Sequence, residues 1–246
     1  MSQGRTMGGA VEGGVVDFSL GGAALAAAVV YWLRFAARDD RGVVGAVIKT
    51  ASTALLAVLL WRTSAGLPAL WPMALGLSLG AVGDWCLAHP GQKGGQGAFL
   101  AGMAGFGAGH LAYAGGLLAR SSDVGLDGLS APEIAAALVL AGLVASTEGW
   151  LAPRTGALRW PVRAYVGLIG LMGLVLVLLP AHPGQSWLRL GGGLFILSDL
   201  LLAMRLFVDT DRGRQRVLSL VLWPAYWGGQ FLLAWASVLY WLPEKG

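Results

Sequence analysis

Eight apolar stretches, set apart by short polar interruptions, organise this chain. They run from about Leu20 to Ala37, Val43 to Trp61, Leu70 to Ala88, Ala98 to Ala119, Ile134 to Leu151, Pro161 to Leu179, Trp187 to Phe207 and Val217 to Trp241. Each approaches the ~20 residues that an α-helix needs to cross the hydrocarbon of a bilayer. The pattern predicts an all-α fold, a polytopic transmembrane bundle of eight helices forming one domain over residues 19–242. Residues 1–18 are Gly-rich and polar and are expected to be a disordered tail. An even number of spans puts both termini on one side. Trp32, Trp61, Trp71, Trp150, Trp160, Trp187 and Trp241 fall near the ends of the stretches, where an interfacial aromatic belt lies.

Composition agrees. Of the 246 residues, 56% are hydrophobic and 12% charged, and the mean hydropathy is +0.67. A soluble domain carries about 25% charged residues. The single cysteine, Cys86, excludes an internal disulfide. The basic pI of 9.6 comes from residues spread over the loops, so no nucleic-acid partner is expected; the bilayer is. Arg34, Arg38 and Arg41 follow the first apolar run, whereas a signal peptide has its charge in front.

The loop charges orient the bundle. One side holds Arg34, Arg38, Arg41, Lys93, Arg154, Arg159, Arg163, Arg205, Arg212, Arg214 and Arg216. The other holds Arg5, Arg62, Arg120, Arg189 and Lys245, with Lys49 left inside the membrane. Basic loops stay in the cytoplasm, so both termini are expected outside.

Two acids lie inside these spans. Asp199 sits within GGGLFILSDLLLAMRLF and Asp84 within LGLSLGAVGDWCL. A carboxyl in hydrocarbon is costly and is usually kept because it faces a partner or a wet cavity. At 1.5 Å per residue, Asp84 lies about 21 Å and Asp199 about 18 Å from the outer ends of their helices. Lys49 lies about 9 Å from the inner end of its own, which in a core of about 30 Å is the same level. Other polar residues join this layer by helical spacing: Phe106, His110 and Tyr113 on one face, and Tyr226 with Gln230 on another. Ser52 and Thr53 follow Lys49 by about one turn, Ser198 adjoins Asp199, and Arg163 and Tyr165 stand near an inner end. Gly76 and Gly80 precede Asp84 at four-residue steps and permit close helix approach. Interhelical hydrogen bonding alone would also account for any one of these residues. The histidines, His89, His110 and His182, show no metal-ligand spacing, and no phosphate loop or nucleophile elbow is present. No metal and no cofactor is expected.

The motifs taken together resemble the YhhN-like membrane proteins, which include the lysoplasmalogenases. LGLSLGAVGDWCL, FLAGMAGFGAGHLAY, WPVRAYVGLIGLM, GGGLFILSDLLLAMRLF and AYWGGQFLL carry the resemblance, over about Val43 to Ala236. Lys49 falls where the family tends to place a lysine, though Thr50 follows it here in place of the usual proline. The resemblance implies hydrolysis of the vinyl ether bond of a lysophospholipid substrate, to a fatty aldehyde and glycerophospho-ethanolamine or -choline. That chemistry suits two carboxyls, one to protonate the vinyl carbon and one to activate water, and Asp199 as acid with Asp84 as base is the expected division. Lys49, His110, Tyr113, Arg163, Tyr165, Ser198, Tyr226 and Gln230 are the expected substrate-binding set, with Arg163 toward the phosphate. A proton-coupled transporter would also carry acids and a lysine mid-membrane, and a non-catalytic membrane protein is the third class.

Reporter fusions at the two ends are expected to read as external at both. A cytoplasmic C-terminus would reverse the orientation and move the acid layer to the outer half.

Overall fold

Helices account for nearly all of this computed structural model, which describes residues 3–38, 42–88, 95–125 and 128–242, the first fourteen of them by backbone alone. Eight α-helices run through these residues: α1 (Gln3–Arg34), α2 (Gly42–Ser64), α3 (Trp71–Ala88), α4 (Gly95–Val124), α5 (Ala131–Trp150), α6 (Arg159–Val177), α7 (Gln185–Ala203) and α8 (Arg212–Trp241). There is no strand among them. Arg41, His89, Lys93 and Lys245, and the side chain of Arg5, lie outside the described residues. Helix α1 begins at Gln3, within the stretch 1–18 expected to be a tail, whose first two residues lie outside the described ones. Six helices are long and apolar enough to cross a membrane: α2, α3 with its leading turn, α5 with its trailing turns, α6, α7 and α8. The fourth helix is long enough at 30 residues, but eight glycines dilute its apolar character.

Helices α1 to α4 pack in sequence, α7 pairs with α8, and α8 returns to touch α1, α2 and α3. Helix α6 bridges α4 and α7, while α5 leans on α6 alone among the major contacts and buries no residue. The two tightest pairs are built on glycine. A methyl on Gly105 of α4 would meet the Gly83 nitrogen and the Leu79 carbonyl of α3 at 3.1 Å. Gly191 and Gly229 oppose each other in the same way across α7 and α8, 3.1 and 2.8 Å from the other's carbonyl oxygen. Small residues let membrane helices approach until backbone touches backbone.

Proline 224 interrupts α8 just before Tyr226 and removes one helical N–H. The carbonyl thereby released is that of Leu220, and the Trp32 indole donates to it at 2.9 Å. Within hydrocarbon such a group must find a protein partner, so this indole, placed by sequence in the aromatic belt, also repairs α8. The belt itself holds for Trp61, Trp71, Trp160 and Trp187, which are exposed, whereas Trp241 is buried. Between α7 and α8 the chain makes a π turn, Met204–Val208, closed by the Asp209 amide donating to the Met204 carbonyl at 2.8 Å. Asp211 then caps α8 by accepting from the Arg214 amide. The Arg214 side chain, hydrogen-bonded to Asp209, holds that carboxyl below the ordinary aspartate range.

Gly76→Ala would drive a methyl to within 2.3 Å of the Tyr113 ring. A loss of about 1–3 kcal/mol is expected, as for other overpacked cores. Gly167→Ala meets nothing within 4 Å and should leave stability level or slightly raised. Melting of the two variants in detergent checks the contrast.

Candidate active site

The acid layer forms where α2, α3 and α8 meet. Asp84, fully buried on α3, takes the Lys49 ammonium of α2 on Oδ1 at 2.8 Å. Its Oδ2 accepts from the Thr53 hydroxyl at 2.8 Å and the Tyr226 hydroxyl at 2.7 Å. Lys49 and Thr53 stand one turn apart on α2, so a single face delivers both donors. Trp223 and Tyr226 place their rings 5.9 Å from the ammonium, within range of cation–π attraction. Removing charge from water is expensive, and these donors compensate for it.

Asp199 on α7 has a different setting. Tyr165 of α6 donates to its Oδ2 at 3.3 Å, and His110 Nε2 lies 3.5 Å from the same oxygen. That imidazole nitrogen is also 3.3 Å from the Tyr165 hydroxyl, while Nδ1 is 3.2 Å from the Met172 sulfur. Phe195 packs on the His110 ring at 4.9 Å. Asp84 and Asp199 line one cavity of about 150 Å³ together with Lys49, Ser198, Arg205 and Tyr226. By that measure it has room for several waters. An apolar slot of about 90 Å³ adjoins it between α4, α5, α6 and α7. The two share Asp199 and Phe106, with Leu87, Phe99, Leu202 and Leu206, as common walls. Asp199 therefore stands where the cavity that holds Lys49 and Asp84 meets the apolar slot.

Most of the residues singled out from sequence converge here, in unequal ways. Lys49, Asp84, Ser198, Asp199 and Tyr226 line the cavity, and Tyr165 lines the slot. Ser198 spends its hydroxyl on the Phe195 carbonyl of its own helix. Tyr113 and Gln230 form a layer behind the cavity, joined by a 2.6 Å hydrogen bond. Arg163 is not part of the site. It forks onto Glu148 of α5 with contacts of 2.5–3.1 Å and stacks on Trp160, at the outer rim of α5 and α6. The expected contact with a phosphate is not what the structure shows for Arg163: its guanidinium is taken by Glu148. Thr53, Trp223, Met172 and Arg205 were not singled out as site residues. Arg205 had a readable signal, since Ser198, Leu202 and Arg205 share one face at i, i+4 and i+7. Among the described residues no three His, Cys, Asp or Glu side chains gather as a metal site requires.

These features define an integral multi-pass membrane protein with two acids on one internal cavity. A family comparison places it further: the model of the YhhN family matches residues 44–237, and the chain belongs to the YhhN family. No curated protein and no solved structure matches the chain.

Lys49→Met strips a buried carboxylate of its counter-ion, and a loss of about 3 kcal/mol or more is expected. Adding Asp84→Asn in the same chain should restore most of it. Denaturation in detergent measures both variants, and a double variant no more stable than Lys49→Met would mean that the pair is not what costs.

Proposed function

We propose that the protein hydrolyses the vinyl ether bond of lysoplasmalogens, with Asp199 as proton donor and Asp84 as the base. The observation that carries this reading is the position of Asp199, at the junction of the cavity that holds Lys49 and Asp84 and the apolar slot. A single-chain ether lipid has the same division. Its alkenyl chain suits the slot between α5, α6 and α7, and its glycerol suits the cavity. The vinyl ether then lies beside Asp199.

The steps follow from that placement. Asp199 gives its proton to the vinyl carbon β to oxygen, leaving an oxocarbenium ion at the ether carbon. Asp84 takes a proton from a cavity water as that water adds to the cation. The hemiacetal then breaks, its hydroxyl proton passing to the leaving glycerol oxygen, to a fatty aldehyde and a free glycerol hydroxyl; the proton on Asp84 returns through the cavity to Asp199, so one water is consumed and no redox partner is needed. Lys49, Thr53 and Tyr226 hold Asp84 aimed into the cavity. His110 and Tyr165 orient Asp199 and exchange protons with it. Two carboxyls in unlike surroundings are the general arrangement for dividing acid from base. With both termini outside, the cavity opens in the cytoplasmic half of the bilayer.

Purified protein is offered three lipids: the lysoplasmalogen, its ester analogue and its alkyl ether analogue. Aldehyde is expected from the vinyl ether alone. Asp84→Asn and Asp199→Asn should each fold and lose about 100-fold or more in turnover. The double variant should be little worse than either, since residues acting as a unit are not additive. Near-normal turnover in either Asn variant, at equal folded protein, removes that residue from the mechanism.

A further inference from the structure

We propose that Arg205 binds the phosphodiester of the lipid and so makes the site select phosphorylated glycerol ethers over neutral ones. This rests on the function proposed above and deepens it. Arg205 is partly buried and lines the cavity that holds Asp84 and Asp199. It also lines a second cavity of about 50 Å³ toward α1, walled by Tyr31, Ser219 and Trp223. Lys49, Leu202, Arg205 and Leu222 are walls of both, so Arg205 borders the two cavities at once.

The spacing fits the lipid. Arg205 lies six residues beyond Asp199 on the same chain segment, about 9 Å along a helix axis. Six bonds separate the vinyl ether carbon from phosphorus, and at about 1.5 Å per bond with tetrahedral angles they span about 7–8 Å. An alkenyl chain in the slot, with its ether carbon at Asp199, carries the phosphate to the level of Arg205. The head group then extends into the smaller cavity. A planar guanidinium fork matches two phosphate oxygens, where an ammonium offers only a point charge. The backbone at Arg205 is already set apart, since it belongs to the π turn Met204–Val208. Such turns are rare and frequently mark functional sites.

The test uses the full-length protein in detergent. Binding is measured for an alkyl ether lysophospholipid and for the corresponding alkylglycerol, neither of which can be hydrolysed by this route. Turnover is measured for the two vinyl ether counterparts. Wild-type protein is expected to favour the phosphorylated member of each pair by about tenfold or more, the scale of a lost charge-assisted contact. In Arg205→Gln that ratio should collapse toward one, with the loss in KM rather than kcat. Arg205→Lys, which keeps the charge without the fork, should retain part of it. Inorganic phosphate at millimolar concentration should not displace the lipid. A ratio near one in wild-type protein overturns the proposal, as does a ratio that survives in Arg205→Gln. Displacement by inorganic phosphate also overturns it, by making this a free-anion site. If Arg205→Gln does not fold, an undiminished ratio in Arg205→Lys refutes the guanidinium contact. Absence of turnover on both vinyl ethers, with the binding ratio intact and lost in the variants, refutes the hydrolase and upholds the phosphate site.

Discussion

A carboxylate closed off from bulk solvent, in the middle of a helix bundle, is the constraint on which the rest of this structure depends. Burying an ion costs several kcal/mol even after the protein relaxes around it. Asp84 meets that cost with an ammonium and two hydroxyls, and they come from α2 and α8. Three helices must therefore converge to within hydrogen-bond distance at one level. Glycines along α3, α4, α7 and α8 let the neighbouring helices follow. Tyr226 reaches Asp84 from an α8 that continues past Pro224, and the Trp32 indole makes that passage tolerable by donating to the orphaned Leu220 carbonyl.

The second acid lives under a different rule. Asp199 is met by a phenol and by an imidazole that is itself held by Phe195 and Met172. One side of Asp199 faces the cavity shared with Lys49 and Asp84, and the other faces the apolar slot. The peripheral helix α5 makes this possible. It buries none of its own residues, yet together with α4, α6 and α7 it encloses the apolar slot that ends at this carboxyl. A helix that contributes little to the core thus contributes a wall to the site.

Two arginines on the same side of the bundle show how local sequence and tertiary environment divide their influence. Arg163 and Arg205 both sit near helix ends on one side of the bundle, Arg163 in the first turns of α6 and Arg205 just after α7. Arg163 faces Glu148 across the α5–α6 rim and forms a surface pair, an interaction of small worth when exposed. Arg205 faces inward, one helical repeat beyond Ser198, and borders the cavity. Position along a helix was the same in kind; the face that each side chain occupies set its role.

Much of this was legible in the residues alone, for a physical reason. Apolar runs near 20 residues long dictate helices in a bilayer, because backbone groups there have no water to bond. An acid within such a run is expensive enough to be a signal by itself, so Asp84 and Asp199 stood out, and counting rise per residue put Lys49 at their level. Family motifs pointed to His110, Tyr165 and Tyr226. What the residues alone did not determine was pairing, because pairing depends on which helix faces which. Nothing in the spacing says that Lys49 belongs to Asp84 rather than Asp199, that Thr53 completes its shell, or that Glu148 takes Arg163 out of the site. Nor does composition reveal that an apolar slot ends at Asp199. Those outcomes were decided by the close packing of glycine-bearing helices, which selects a few contacts out of many that hydropathy allows equally.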